Sequence, residues 1–275
     1  MAQGSDDDIT KLVLGFIPGT GRMGAALARN HAQAGFKVLI SSRDENKAQE
    51  TASQLIKTNN LKEGSIKGNV QIFSKIGKPK GRGKKKGGGE RDNITNNNKK
   101  KKAGTHETVI KNSDVVFWCI QAPLDVRKET LQKLAPLFKG KIVCDITNIM
   151  YMDQFKDQWG QVSSTTLNKQ WTDEFDKKIR WCCAWKSIFF KLLDDRPPED
   201  KPAHVQVCSD DKSAADTIVK IINTQKGFQG LYSGELRHSK IVELFGPTYG
   251  VEMNAWNAGK NWKSYWRFET NTASK

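Results

Sequence analysis

The chain has 275 residues and a formal net charge of +15, a length that allows one large core or two small ones. Twelve Lys or Arg and two acidic residues fall between positions 75 and 104, so the high charge describes one stretch and the rest is only mildly basic. No apolar run approaches the roughly 20 residues of a membrane span, and the first eight residues are too polar for a secretory leader. Five scattered cysteines without CxxC, HExxH or a Cys/His cluster speak against a disulfide framework and against a metal site, so the expectation is a cytoplasmic protein with buried free thiols.

Residues 11–17 (KLVLGFI) form a short apolar run ending in Pro-Gly, the pattern of a strand meeting a turn. Residues 23–34 carry apolar and small residues at helical spacing, and Gly35 is placed to stop that helix. A second strand is expected over 36–41 (FKVLIS), a helix over 44–56 and a short strand over 70–73. Residues 75–104 repeat Gly, Lys and Asn with almost nothing to bury, so a disordered loop is expected there. Then come part of a short helix at 106–110, a strand at 114–120 (DVVFWCI) and a helix at 126–134. Further strands are expected at 141–146, 179–185 and 205–208, and an amphipathic helix at 212–223. Repeated βα units predict an α/β fold of the Rossmann type, a doubly wound, mainly parallel sheet with helices on both faces. One domain over 1–255, interrupted by the 75–104 loop and followed by a Trp-rich segment at 256–275, is the expected organisation.

The strongest motif is Gly19-Thr20-Gly21-Arg22-Met23-Gly24. A GxGxxG that follows a strand and opens a helix has the context that gives it meaning. Its first glycine makes the tight turn, its second lets backbone approach a pyrophosphate, and its third lets helix and strand pack closely. At the end of the second strand an NAD site usually has an acidic residue for the ribose 2′-hydroxyl. This chain has Ser41-Ser42-Arg43 instead, with Lys47 one turn on. A guanidinium and hydroxyls suit a 2′-phosphate, so NADP(H) is favoured over NAD; the bland reading is an exposed Arg43 paired with Asp44.

GTGRMG followed by SSRDENKA resembles the coenzyme F-420-dependent NADP reductases, and equally the cytosolic oxidoreductase domain of STEAP-type metalloreductases. Asp145-Ile146-Thr147-Asn148, the run 207–211 before a helix, and Ser233-Gly234-Glu235-Leu236 before Lys240 and Glu243 extend the likeness over about 11–245. The resemblance implies that Thr20 and Arg22 line phosphates and that Ser42, Arg43 and Lys47 hold the 2′-phosphate. It implies that Ala122, Pro123 and Asn148 face the nicotinamide, and that Trp185-Lys186-Ser187 lies beside the hydride-transfer site. The family often reads Lys-x-Phe-Asn there; this chain reads Lys186-Ser187-Ile188-Phe189 and lacks the Asn.

The expected activity is hydride transfer between NADPH and a flavin or deazaflavin (F-420-like) second substrate, with onward reduction of ferric iron implied by the metalloreductase likeness. No catalytic dyad is visible, and such a transfer needs ring alignment more than an acid or base. A rival is an imine or carbonyl reductase, for which Lys186 is the candidate catalytic proton donor, though a solvated strand-end lysine is the blander account. A non-catalytic NADPH sensor and a nucleic-acid-binding protein are further alternatives. The basic stretch lacks interleaved aromatics, which favours a passive loop over nucleic-acid binding. Trp262, Tyr265 and Trp266 are spaced for one helical face; packing on the core or in a homodimer is preferred to a flavin platform or membrane contact.

Overall fold

The computed structural model describes residues 8–68, 106–149, 161–175, 178–257 and 263–269. The basic stretch and the strand expected over 70–73 lie outside the described residues.

The first strand, β1 (Val13–Ile17), leads into helix α1 (Arg22–Gln33), then β2 (Lys37–Ile40), α2 (Glu45–Thr58) and β3 (Ile66–Gly68). After the basic stretch come α3 (His106–Lys111), β4 (Val115–Trp118), α4 (Leu124–Leu134), β5 (Ile142–Asp145), α5 (Ser164–Thr172) and β6 (Arg180–Cys183). The six strands form one parallel sheet in the order β3-β2-β1-β4-β5-β6. The order reverses between β1 and β4, and in open parallel sheets ligands bind beyond the strands' carboxyl ends at such a point.

Strands β1, β4 and β5 are apolar nearly throughout because both faces are covered. Alternation sorts their side chains between two cores. Leu14, Phe16, Val115 and Phe117 pack with Leu27 and Ala28 of α1. Ile17, Val116 and Trp118 pack with Val109 of α3 and Leu131 of α4. Gly35 stops α1 at φ 99°, a left-handed conformation that glycine adopts without steric cost.

A short helix α6 (Phe190–Asp194) precedes β7 (Ala203–Val207), α7 (Lys212–Asn223) and β8 (Phe228–Tyr232). Strands β7 and β8 pair in parallel, and an antiparallel bridge between Cys183 and Cys208 ties them to the end of β6. Helix α8 (Ser239–Glu243), a π-helical turn (Leu244–Tyr249) and α9 (Gly250–Asn257) follow.

The helical face expected for the C-terminal aromatics is not formed. Residues 263–269 are not helical, and Trp262 lies outside the described residues. The backbone there bonds to β7 instead: the His204 N–H donates to the Trp266 carbonyl at 3.1 Å, and the Phe268 N–H donates to His204 Nδ1 at 2.8 Å. Trp266 stacks on Tyr249 at 6.2 Å and meets Phe245 edge-on at 5.7 Å.

His31 of α1 lies in the first core with 0% exposure, among Phe16, Phe36, Phe117 and Trp185. Burial lowers its pKa from 6.5 to about 4, so the folded protein holds it neutral. The unfolded chain then binds more protons between those two values, and stability falls as pH drops through that window. His31→Leu is expected to flatten the loss of urea stability between about pH 6.5 and 4, measured as the unfolding midpoint against pH.

Candidate active site

The turn between β1 and α1 is shaped by steric need. A Cβ on Gly19 would lie 2.4 Å from Ile40 Cβ, and one on Gly24 2.7 Å from the Pro18 carbonyl oxygen. At Gly21 an added Cβ meets nothing within 4 Å. Gly19 and Gly24 are therefore needed for packing, whereas Gly21 borders open space that could receive a ligand. Helix α1 starts directly after Gly21 with no side-chain cap and no acidic residue in its first turn. Its first N–H groups lack intrahelical partners, and its positive dipole end favours an anion.

Beside this turn lies a cavity of about 220 Å³ lined by Thr20, Ser42, Arg43, Lys47, His106 and Ala122, among others. Three of its lining residues are basic and none is acidic. Asp44, which follows Arg43, caps α2 by accepting from the Asn46 N–H at 2.9 Å and the Lys47 N–H at 3.3 Å.

A second cavity of about 460 Å³ is lined by Arg22, Met23, Cys119, Asn148, Trp185 and Phe190, among others. Gln121 borders both cavities. Its Nε2 donates to the Asn148 carbonyl at 2.9 Å, and Asn148 Nδ2 donates to the Lys186 carbonyl at 3.2 Å. Asn148 Oδ1 is buried without a partner among the described residues. The Arg22 guanidinium sits 5.5 Å from the centre of the Phe190 ring. Trp185 is held at φ 60°, a left-handed conformation that is uncommon for a bulky residue. Burial, and then the Asp145 charge, push the Cys119 thiol far up, so it is no thiolate nucleophile.

The structure thus sorts the residues singled out from the sequence. Thr20, Ser42, Arg43, Lys47 and Ala122 line the smaller cavity, while Arg22, Met23, Asn148 and Lys186 line the larger. Ala122 lines the smaller cavity and Asn148 the larger, with Gln121 between them on both. Pro123 is the N-cap of α4 and is among the lining residues of neither. The segment crosses the strand ends between β4 and α4, so successive residues border different spaces.

Lys186 is not a solvated strand-end lysine; it is 3% exposed. Its Nζ donates to the Thr147 carbonyl (2.5 Å) and Ser164 Oγ (2.7 Å), and pairs with Glu243 (2.9 Å) and Asp145 (3.3 Å). Arg127, 0% exposed, approaches Asp145 at 3.4 Å and donates from Nε to Asn168 Oδ1 at 3.0 Å. Two buried cations therefore face two buried carboxylates. Burial alone would raise the Asp145 pKa, but Lys186, Arg127 and hydrogen bonds from Thr147 and Ser164 prevail and hold it at about 2. Burial opposes the charge on Lys186 too, yet Asp145 and Glu243 keep its pKa above 10.5. Glu243 and Arg127 had no sequence signal of this role, because their positions relative to Lys186 are set only by the fold.

Two tests follow from this geometry. Gly19→Ala and Gly24→Ala are each expected to cost about 1–3 kcal/mol in urea unfolding through overpacking, while Gly21→Ala unfolds like the parent. Lys186→Met leaves buried Glu243 without its cation and Asp145 with Arg127 alone, and is expected to cost about 3–5 kcal/mol near neutral pH. Asp145 lies below its ordinary 3.8, so its stabilisation is present above that value and disappears as pH falls through about 2. The deficit of Lys186→Met should therefore narrow in that acid window and shrink in the double variant with Glu243→Gln; urea midpoints against pH measure both. A deficit independent of pH and of Glu243 would refute the charge account.

Residues 13–74, which span the glycine turn and the Ser42-Arg43 corner, match the family described as NADP oxidoreductase coenzyme F420-dependent. The F420-dependent NADP reductase of Methanothermobacter thermautotrophicus is 22% identical over 256 residues, covering 89% of this chain and 90% of that protein. A solved structure assigned as an F420-dependent NADP-reductase from Arthrobacter sp. FB24 superposes with a TM-score of 0.59 at 14% identity, covering 94% of this chain and 100% of that one. Imine reductase BcSIRED from Bacillus cereus BAG3X2 superposes with a TM-score of 0.53 at 13% identity, covering 90% of this chain but 62% of the other. A reductive aminase from Aspergillus terreus, solved with NADPH, gives a TM-score of 0.52 at 15% identity, covering 91% of this chain and 63% of that one. The structural likenesses show the fold, and the sequence likenesses, over residues 13–74 to the coenzyme F420-dependent NADP oxidoreductases and over 256 residues to the archaeal reductase, support an NADP-dependent oxidoreductase.

Proposed function

We propose that the chain transfers hydride between NADPH and a flat ring acceptor of the flavin or deazaflavin type. The observation that carries this reading is the pair of adjoining cavities, one cationic and one largely apolar, that share Gln121 at the carboxyl ends of the strands. Ser42, Arg43 and Lys47 would hold the 2′-phosphate through charge-assisted hydrogen bonds. The open face of Gly21 and the uncapped start of α1 would take the pyrophosphate. Asn148, on the wall of the larger cavity, would lie at the nicotinamide end. Trp185, Phe189 and Phe190 would exclude water and offer flat faces to the acceptor. Bound NADPH supplies the hydride, which a flavin-type ring accepts at a ring atom. That the archaeal relative is an F420-dependent NADP reductase supports the deazaflavin as this acceptor.

The imine or carbonyl reductase reading requires a proton donor at the acceptor. Lys186 is the candidate, but its ammonium already has four acceptors within 3.3 Å and a raised pKa. It serves better as a positioning residue that holds the walls of the larger cavity.

Arg43→Ala is expected to weaken NADPH roughly ten- to a hundredfold and to leave NADH nearly unchanged, read by calorimetric titration. Gly21→Ala, stable as argued above, should weaken both nucleotides, because its methyl group intrudes on the shared pyrophosphate. Rapid mixing of NADPH with FAD, FMN, a deazaflavin, a ferric chelate and an imine identifies the acceptor. Oxidation by a flavin-type acceptor is the expected result, and the ferric arm tests onward transfer. Turnover with the imine alone would overturn the flavin reading; binding of NADPH without oxidation by any of them would make the chain a sensor.

A further inference from the structure

His106 is the third basic residue of the cationic cavity and belongs to no part of the GTGRMG or SSRDENKA motifs. It stands at the start of α3, on the far side of the basic stretch from Arg43. Its Nδ1 lies 2.8 Å from Ser41 Oγ, and that oxygen is also 3.3 Å from the Phe16 carbonyl. Ser41 is wholly buried, so this contact fixes the imidazole ring at the cavity wall. The arrangement accepts a doubly protonated ring. Nδ1–H donates to Ser41 Oγ, the serine hydroxyl donates to Phe16, and Nε2–H remains for a ligand, since no Nε2 partner is found among the described residues.

We propose that His106 is a further anchor for the 2′-phosphate, a specificity-determining residue that acts with Ser42, Arg43 and Lys47. The inference rests on the reading of this cavity as the 2′-phosphate site. The charged groups lining the cavity are Arg43 and Lys47, with no carboxylate among them, so a phosphate dianion would be the counter-ion of all three bases. Without a ligand, burial and then the Arg43 charge lower the His106 pKa from 6.5 to about 4. A phosphate between them offsets the Arg43 repulsion, the second of those causes, and so raises the imidazole pKa from its ligand-free value. Binding of a 2′-phosphorylated nucleotide is therefore coupled to uptake of a proton by the protein.

The probes are 2′,5′-ADP and 5′-ADP, titrated calorimetrically at pH 7.5 in two buffers of different ionisation enthalpy. At that pH a phosphate monoester is already largely doubly charged, its second pKa being about 6, so protons taken up belong to the protein. The full chain is expected to take up more proton with 2′,5′-ADP than with 5′-ADP. His106→Gln should lower the ratio of 2′,5′-ADP to 5′-ADP affinity roughly tenfold and abolish most of the uptake. The ratio within one variant is insensitive to the folded fraction, and His106→Asn provides a second variant with the same expectation. An unchanged ratio with unchanged uptake in both variants overturns the proposal. Arg43→Ala separates the two readings. If it leaves the affinity ratio unchanged, the 2′-phosphate assignment itself is wrong; if it lowers the ratio while the His106 variants do not, only His106 is excluded.

Discussion

The interior of the site rests on the four buried charges of Asp145, Glu243, Lys186 and Arg127. They come from the end of β5, from α8, from the segment after β6 and from α4. None of these charges could be buried alone, since an isolated ion in a low-dielectric interior costs several kcal/mol even after relaxation. The Ser164 and Thr165 hydroxyls both donate to Asp145 Oδ2, and the Ser164 N–H donates to Glu243 Oε1 at 2.8 Å, which brings α5 into the same network. Such a network tolerates few alternative arrangements, because moving one member leaves the others without partners. It therefore fixes the two loops carrying Asn148 and Trp185, which form the walls of the larger cavity.

The smaller cavity is built on a different principle. Its backbone is positioned by parallel pairing of β1 with β2 and by the hydrogen bond from the Gly19 N–H to the Ser41 carbonyl at 2.9 Å. Its bases remain largely without acidic partners: Asp44 is occupied as a helix cap. One cavity thus holds neutralised charge beneath an apolar surface, and the other presents uncompensated positive charge at its lining. Gln121 lies on the boundary, donating to Asn148 of the larger cavity while lining the smaller. A long ligand with an anionic end and a flat, neutral end matches that order, because each end meets the environment that desolvates it at least cost.

The elements that were not read from the sequence have a common cause. Helix α5 (STTLNKQWT) has little apolar periodicity, and its buried face is made of Ser164, Thr165, Asn168 and Thr172. Ser164, Thr165 and Asn168 are interior because Asp145, Arg127 and Glu243 supply their hydrogen-bond partners, and Thr172 accepts from Trp181 Nε1, none of which a local pattern reveals. Strand β8 (FQGLY) is short and contains a glycine, and it is a strand because β7 lies beside it. The aromatic tail had helical spacing, yet β7 offered its backbone a better partner than a helix would have done.

From the sequence by itself follow the parallel α/β architecture, the glycine turn and the expectation of a phosphorylated ribose. Each of these rests on local chemistry: alternating burial, glycine sterics, and the charge of Arg43 a few residues from the strand end. Tertiary structure alone decided that Lys186 is buried against Asp145 and Glu243, that Ala122 and Asn148 border different spaces, and that His106 joins Arg43. These contacts link residues far apart in the chain, and a buried charge or an open one is defined only by the partners that folding brings to it.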